Sequence, residues 1–194
     1  MLDNTTEENT IVATIIGISG SLRRGSFNTA LLQAASAMMP AGSELRIGTI
    51  ASIPLYNADV ETADGIPMPV AELKNAIAAA DGLLLATPEY NSSIPGVFKN
   101  AIDWLSRPPA DIKTVFGGKP TAVMGASPGG FGTILSQNAW LPVLRTLGTK
   151  PWFGGRLQVS RAQAVFDEQG KIKDDAVKKQ LEQFLHGFVA FVQS

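Results

Sequence analysis

Apolar residues along this chain fall into five short runs that alternate with stretches of helical spacing. The runs are rich in Ile, Val and Leu without polar alternation, which indicates strands buried on both faces. They cover residues 11–18, 45–50, 82–86, 121–125 and 153–159, and Gly154 and Gly155 interrupt the last of them. Elsewhere apolar positions recur every three or four residues, and this periodicity predicts helices. The predicted helices cover residues 26–39, 70–80, 96–105, 133–147 and 174–192.

This alternation predicts an α/β fold, because strands buried on both faces need helices above and below one parallel sheet. Five strands in a chain of this length favour a flavodoxin-like three-layer sandwich with strand order 2-1-3-4-5. Ligands of such sheets bind beyond the carboxyl ends of the strands, where the strand order reverses. We therefore look for function in the loops after strands one, three and four.

Composition narrows the classes of function. The 194 residues are 45% hydrophobic, and 16 Lys and Arg balance 17 Asp and Glu, so nothing points to nucleic acid or an anionic membrane as a partner. The absence of cysteine excludes thiolate chemistry, and the single histidine, His186, excludes a metal site with two imidazoles. Residues 1–10 are polar and predict a disordered tail rather than a signal peptide. We expect one domain over residues 11–194, located in the cytoplasm.

The loop after strand one has the character of an anion site. It runs through glycine, serine and arginine into a helix, whose first amides and positive dipole end suit a phosphate. Ser21, Ser26 and Asn28 add short hydrogen-bonding groups, and Arg23 adds a charge. The loop lacks the Gly-Lys-Ser/Thr ending of a Walker loop and the glycine spacing of a dinucleotide fingerprint. The alternative is a polar loop in which Ser26 or Asn28 only caps the helix.

The loop after strand three is stiffened by Pro88 and Pro95 and carries Tyr90 and Asn91 between them. An aromatic ring beside an amide suits a flat heteroaromatic ligand, although Tyr90 could instead pack on the following helix. Glu89 has no paired carboxylate or histidine nearby in sequence. We interpret it as a loop residue rather than a general acid or base.

The loop after strand four reads Gly-Ala-Ser-Pro-Gly-Gly, which imitates the nucleophile elbow of a serine hydrolase around Ser127. The imitation fails chemically, because the residue after the nucleophile must donate its amide to the oxyanion hole and Pro128 has none. His186, the required base, falls within a predicted amphipathic helix. Gly129, Gly130 and Gly132 instead predict backbone amides that approach a ligand carbonyl closely, as at the pyrimidine edge of a flavin.

Taken together, these loops resemble those of the NADPH-dependent FMN reductase family, and most closely its bacterial quinone and chromate reductases. The matching segments are GSLRRGSFN (20–28), IPLY (53–56), TPEYN (87–91), IPGVFKNAIDWLSR (94–107) and GASPGG (125–130). The resemblance implies non-covalently bound FMN, NADPH or NADH as co-substrate, and a homodimer or homotetramer. One departure is Pro142 inside the predicted fourth helix, where we expect a kink.

The resemblance also implies a set of site residues. The FMN phosphate would be held by Ser21, Arg23, Ser26 and Asn28, with Phe27 in the same turn. The isoalloxazine and ribityl chain would be bordered by Pro88, Glu89, Tyr90 and Asn91, largely through backbone atoms. Ser127 and Gly129 would lie at the pyrimidine edge. Arg107 either attracts an anionic acceptor or forms a structural salt bridge.

The implied activity is hydride transfer from NAD(P)H through FMN to a quinone, with chromate, other metal oxyanions, nitro or azo compounds as further acceptors. The cofactor supplies the chemistry, so no catalytic side chain is predicted and we expect ping-pong kinetics. A flavodoxin-type electron carrier is the alternative with the same FMN site, although such carriers are usually more acidic. A serine hydrolase using Ser127 is the other alternative.

Overall fold

A parallel sheet forms the middle layer of the computed structural model, which describes residues 13–194. Its strands are β1 (Ala13–Ser19), β2 (Ser43–Gly48), β3 (Gly82–Ala86), β4 (Pro120–Ala126), β5 (Lys150–Pro151) and β6 (Leu157–Val159). The order across the sheet is β2-β1-β3-β4-β5, and β6 also pairs with β4. The predicted α/β class, parallel sheet and strand order are therefore confirmed.

Helices cover both faces of the sheet. They are α1 (Phe27–Ala37), α2 (Ala58–Asp64), α3 (Met68–Ala79), α4 (Gly96–Leu105), α5 (Ile112–Val115), α6 (Ile134–Leu147), α7 (Ala162–Val165) and α8 (Asp175–Val192). A turn of 3-10 helix at Pro109–Asp111 precedes α5. Alternate strand residues supply the two cores: Ile15 and Leu84 pack with α1 and α8, whereas Ile16 and Leu83 pack with α3, α4 and α6. This alternation explains why β1 and β3 read as unbroken apolar runs.

The fifth strand was predicted over residues 153–159 with an interruption at Gly154 and Gly155, and its observed bounds differ from that prediction. The structure splits the region into β5 and β6, and the intervening residues 152–156 leave the sheet. The indole of Trp152 packs at the bend, within contact distance of Gly154, Gly155 and Gly187, where a methyl group would collide with it. It also stacks edge-on against Phe184, with ring centroids 5.0 Å apart. Strand pairing is thus interrupted at the point where this large ring packs against α8.

Other differences are smaller. Helix α2 was not predicted, because its sequence ADVETAD has no buried residue and therefore no apolar periodicity. Helix α6 runs unbroken through Pro142. The predicted tail over residues 1–10, and residues 11 and 12 of the first predicted strand, lie outside the described residues. Within residues 13–194, no helix is both long and apolar enough to cross a membrane.

Candidate functional site

Three loops meet at the carboxyl edge of the sheet, beside the point where the strand order reverses. The ends of β1, β3 and β4 are in register, with Ser19 opposite Ala86 and Ala86 opposite Met124. Hydrogen bonds continue the alignment into the loops: the Gly20 amide donates to the Ala86 carbonyl at 2.9 Å, and the Thr87 amide donates to the Met124 carbonyl at 2.8 Å. The structure therefore brings the three predicted loops side by side.

The loop after β1 presents unused hydrogen-bond donors. Ser26 caps α1, its hydroxyl accepting from the Thr29 amide at 3.2 Å. Within the described residues, the amides of Gly25, Phe27 and Asn28 donate to no protein group. The exposed guanidinium of Arg23 lies 5.3 Å from the centre of the Phe27 ring and joins no ion pair in the described part of the chain. Free amides at a helix start beside a free cation form an anion site.

Two further residues of this loop support its shape. The Ser21 hydroxyl accepts from the Arg23 amide at 3.3 Å, which holds the turn that carries the guanidinium. Phe27 stacks on Phe166, with ring centroids 5.7 Å apart and an interplanar angle of 24°. The second contact anchors the start of α1 to the chain beyond α7, so the loop is fixed at both ends.

Asn28 is used differently from Ser26. Its side-chain amide donates to the Ala126 carbonyl, and its side-chain oxygen accepts from the Ala126 amide, both at 2.9 Å. The residue is 3% exposed. Both polar atoms of this side chain are therefore engaged with the end of β4, and its backbone amide is the group that remains free to face a ligand.

The loop after β3 makes a tight turn at its tip. Tyr90 and Ser93 exchange two backbone hydrogen bonds, each 3.1 Å long. The two residues between them, Asn91 and Ser92, have φ angles of 50° and 60°, as a type I′ turn requires. Pro88 is buried, whereas the Tyr90 ring is 49% exposed. The turn therefore leaves the Tyr90 ring half exposed and Asn91 exposed at the tip of the loop.

The base of this loop is tied to α6. The Glu89 carboxylate accepts from the amides of Leu135 at 2.9 Å and Ser136 at 3.2 Å. Beneath it, the buried Thr87 hydroxyl lies 2.8 Å from the Ser136 hydroxyl and accepts from the Trp140 indole at 3.0 Å. Sequence reasoning missed Ser136 and Trp140, because they lie about 50 residues away from Thr87 and belong to no motif.

The loop after β4 exposes backbone amides. Its Ser127 carbonyl accepts from the Ala162 amide and its Gly129 carbonyl from the Arg161 amide, each at 3.0 Å, so the segment after β6 supports it. The amides of Gly129 and Gly130 donate to no group among the described residues. A methyl group on either glycine would meet no close neighbour, so their backbones face open space. A ligand carbonyl could therefore approach these amides directly.

Arg107 is engaged elsewhere. Its Nε atom donates to both carboxylate oxygens of Glu61 on α2, at 3.0 and 2.8 Å. The Tyr56 hydroxyl donates to the same carboxylate at 2.9 Å. The Arg107 hydrogen bond lowers the pKa of Glu61 below its usual value, and the hydrogen bond to Glu61 raises the pKa of Tyr56. Of the two alternatives for Arg107, the structure therefore contains the salt bridge.

The comparisons with known proteins agree with this geometry. The sequence model described as NADPH-dependent FMN reductase matches residues 13–164. The chain belongs to this family. It is 45% identical to an NAD(P)H-dependent FMN reductase of Pseudomonas aeruginosa over 179 residues, which covers 92% of this chain and 95% of the relative. It is 37% identical to a quinone reductase of Escherichia coli K12 over 185 residues, which covers 92% and 95%.

A solved structure gives the same result for the fold. The flavoenzyme NAD(P)H:(acceptor) oxidoreductase FerB of Paracoccus denitrificans superimposes with a TM-score of 0.83 at 33% sequence identity. The match covers 94% of this chain and 98% of the FerB chain. The predicted membership of the FMN reductase family, its flavodoxin-like fold, and FMN and NAD(P)H as cofactor and co-substrate are thereby confirmed. The roles of the individual site residues remain predictions.

Proposed function

We propose that this protein passes two electrons from NADPH or NADH, through FMN bound at the three loops, to a quinone. The observation that supports this most strongly is a pair of amide clusters that donate to no group among the described residues and that lie on two of the loops meeting at this edge of the sheet. We call the space between the three loops the cleft. One cluster lies at the start of α1 and the other at Gly129 and Gly130. FMN carries a phosphate at one end and ring carbonyls at the other, so each cluster suits one end of the cofactor. The exposed Tyr90 lies between the two clusters in the sequence.

The residues present fit the phosphate end of FMN. Among the described residues, the amides of Gly25, Phe27 and Asn28 have no acceptor and the guanidinium of Arg23 has no ion-pair partner, so together they supply the donors that a dianion needs. In this proposal Ser26 caps the helix and directs its hydroxyl at the same turn. Asn28 contributes its backbone amide, while its side chain fixes the loop against β4.

The residues also fit a flat ring. Pro88, Glu89, Tyr90 and Asn91 border it from the loop after β3, with the Tyr90 ring available for stacking. Ser127 and Gly129 lie at its pyrimidine edge, where amide donors favour negative charge on the ring. When bound, FMN accepts a hydride from the nicotinamide and delivers two electrons to the acceptor. The protein's own residues bind, orient and polarise the flavin, and no side chain has to act as nucleophile or base.

The acceptor class rests on the named relatives. One is a quinone reductase of Escherichia coli, and another is a 2-hydroxy-1,4-benzoquinone reductase of Burkholderia, 36% identical over 176 residues. We extend the proposal to chromate and to nitro and azo compounds, since an open ring face selects acceptors mainly by access. One face serves both substrates in turn, so initial-rate plots should show the parallel lines of ping-pong kinetics.

The decisive experiment is an anaerobic titration followed by visible absorption. The purified protein, reconstituted with FMN, should be yellow, should bleach on addition of NADPH, and should regain its colour when benzoquinone is added. Yellow protein that NADPH does not bleach would support an electron carrier instead. Protein that takes up no FMN would contradict the proposal.

The serine hydrolase receives no support from the geometry. Pro128 follows Ser127 and supplies no amide for an oxyanion hole, and His186 is exposed on α8. Assembly into a homodimer or homotetramer remains part of the proposal. Light scattering on the eluate of a sizing column measures the mass directly, and a monomer at micromolar concentration would contradict it.

A further inference from the structure

The Glu89 carboxylate joins the loop after β3 to the start of α6, which is 46 residues away in sequence. These two segments form two walls of the cleft. One of its oxygens accepts from two consecutive amides of α6, those of Leu135 and Ser136. An acidic side chain that accepts from the first amides of a helix acts as its cap, and its charge complements the positive end of the helix dipole. Here the cap comes from a different loop rather than from the residue before the helix.

Helix α6 has no local cap that could replace Glu89. Thr133, the residue before it, has a φ of 69° and makes no capping hydrogen bond with its side chain. The Thr133 hydroxyl instead accepts from the Gln137 side chain at 3.1 Å. The first turn of α6 also contains no acidic residue. Glu89 is therefore the group that neutralises this helix start among the described residues.

Both ends of the link belong to the proposed FMN cleft. Glu89 lies between Pro88 and Tyr90, which border the ring in our proposal. Helix α6 begins directly after the loop that carries Ser127 and Gly129. A movement of α6 relative to the loop after β3 would therefore change the width of the cleft at the ring.

We infer that Glu89 is a positioning residue, whose side chain holds the two ring-binding walls at a fixed separation before FMN binds. This inference rests on the proposed function. A cleft that is already assembled loses less conformational freedom on binding, so the link should appear in the affinity for FMN. The buried contact between the Thr87 and Ser136 hydroxyls, 2.8 Å long, lies beneath the link and orients the same two segments.

The chain offers a matched control for this idea. Asp174 caps α8 in the same manner, one carboxylate oxygen accepting from the amides of Ala176 at 2.9 Å and Val177 at 3.0 Å. Asp174 directly precedes its own helix and belongs to none of the three loops. Glu89→Ala and Asp174→Ala thus remove equivalent caps, one inside the cleft and one outside it.

The test is a titration of FMN into apo-protein, followed by the quenching of FMN fluorescence. For Glu89→Ala we expect the Kd for FMN to rise about tenfold, because binding must then order the two segments that the carboxylate held together. Glu89→Gln keeps an acceptor oxygen without the charge and should fall between wild type and Glu89→Ala. Asp174→Ala should bind FMN within about twofold of wild type, the difference expected of a site distant from the ligand.

Thermal unfolding followed by circular dichroism separates affinity from stability. We expect both alanine variants to lose similar stability, while the visible circular dichroism of bound flavin changes in Glu89→Ala alone. An unchanged Kd in Glu89→Ala, or equal losses of affinity in both variants, would overturn the inference. If Glu89→Ala does not fold, a wild-type Kd in Glu89→Gln decides against it. Failure of the wild-type protein to bind FMN would instead refute the proposed function.

Discussion

Replacing Asn28 with alanine should destabilise the fold strongly, because this side chain completes a position in the sheet. Strand β3 ends at Ala86, opposite Met124, so Ala126, the next residue of β4 whose backbone polar groups point toward β3, has no strand partner on that side. The Asn28 side chain takes that place with two hydrogen bonds of 2.9 Å. Ala126 is 2% exposed, and water therefore has little access to replace them.

The size of the effect follows from these contacts. Alanine would leave one buried amide and one buried carbonyl without partners, and each such group costs about 1–3 kcal/mol. We expect a total loss of about 2–6 kcal/mol, which corresponds to a fall in Tm of roughly 6–18 °C for a domain of this size. The loss should appear as a lower urea midpoint with an unchanged slope.

Asn100 provides the comparison for this experiment. It makes the same kind of link, accepting from the Tyr56 amide and donating to the Pro54 carbonyl, both at 2.8 Å, but at a more exposed site. Because water can replace its hydrogen bonds, Asn100→Ala should cost about 1 kcal/mol. Urea unfolding of both variants without added FMN measures the difference. The reasoning is refuted if Asn28→Ala is no less stable than Asn100→Ala.

Three further predictions concern the supports of the cleft. Gly125→Ala should lower the free energy of unfolding in urea by about 1–3 kcal/mol, because the added methyl group would overlap the Thr87 carbonyl. In the control, Gly96→Ala, the methyl group meets open space, so stability should be nearly unchanged. Equal stabilities of the two variants would contradict this prediction. Thr87→Val removes the acceptor of the buried Trp140 indole and should lower stability by about 1–3 kcal/mol, and an unchanged Tm would refute that role. Because the folded-state pKa of Glu61 lies below its usual 4.5, its stabilisation is present above that value and is lost as the pH falls through the folded-state pKa. The difference in Tm between wild type and Glu61→Gln should therefore shrink as the pH is lowered below 4.5, and a constant difference would argue against the ion pair.

Helices and strands that are determined by residues close together in the chain were predictable from the sequence. The apolar run of β3 and the helix that Pro95 opens, α4, have the bounds that the periodicity predicts. The interruption of the fifth strand at Gly154 and Gly155 was predicted, but its division into β5 and β6 was not. At the break, Trp152 packs against Phe184 and Gly187 of α8, contacts that no local pattern indicates. The start of helix α2 is marked in the sequence by Asn57, a residue type that favours helix caps, and in the structure its side chain accepts from the Asp59 amide.

In the candidate site, the location of the loops was predictable from the sequence, but the contacts of their side chains were not. A parallel sheet brings the three loops to one edge whatever their contacts, so strand order and residue type were enough to find them. The partners of Asn28 and Glu89 lie 98 and 46 residues away, and no local pattern indicates them. For Arg107 the sequence left a salt bridge and an anionic acceptor as alternatives, and only the structure shows its acidic partner, Glu61 on α2.

These long-range contacts have a common physical origin. Loops that leave neighbouring parallel strands lie close together, but strand pairing ends where they begin, so their separation is not fixed by the sheet. Asn28 and Glu89 supply that missing constraint, each joining its own loop to the backbone of the β4–α6 region. A residue can therefore belong to a binding motif because the cleft needs it for its shape, even when, as in Asn28, both polar atoms of its side chain are engaged within the protein. Substitutions at such positions should affect cofactor affinity and stability together, whereas substitutions at Arg23 or Tyr90, whose side chains face outward, should affect affinity alone.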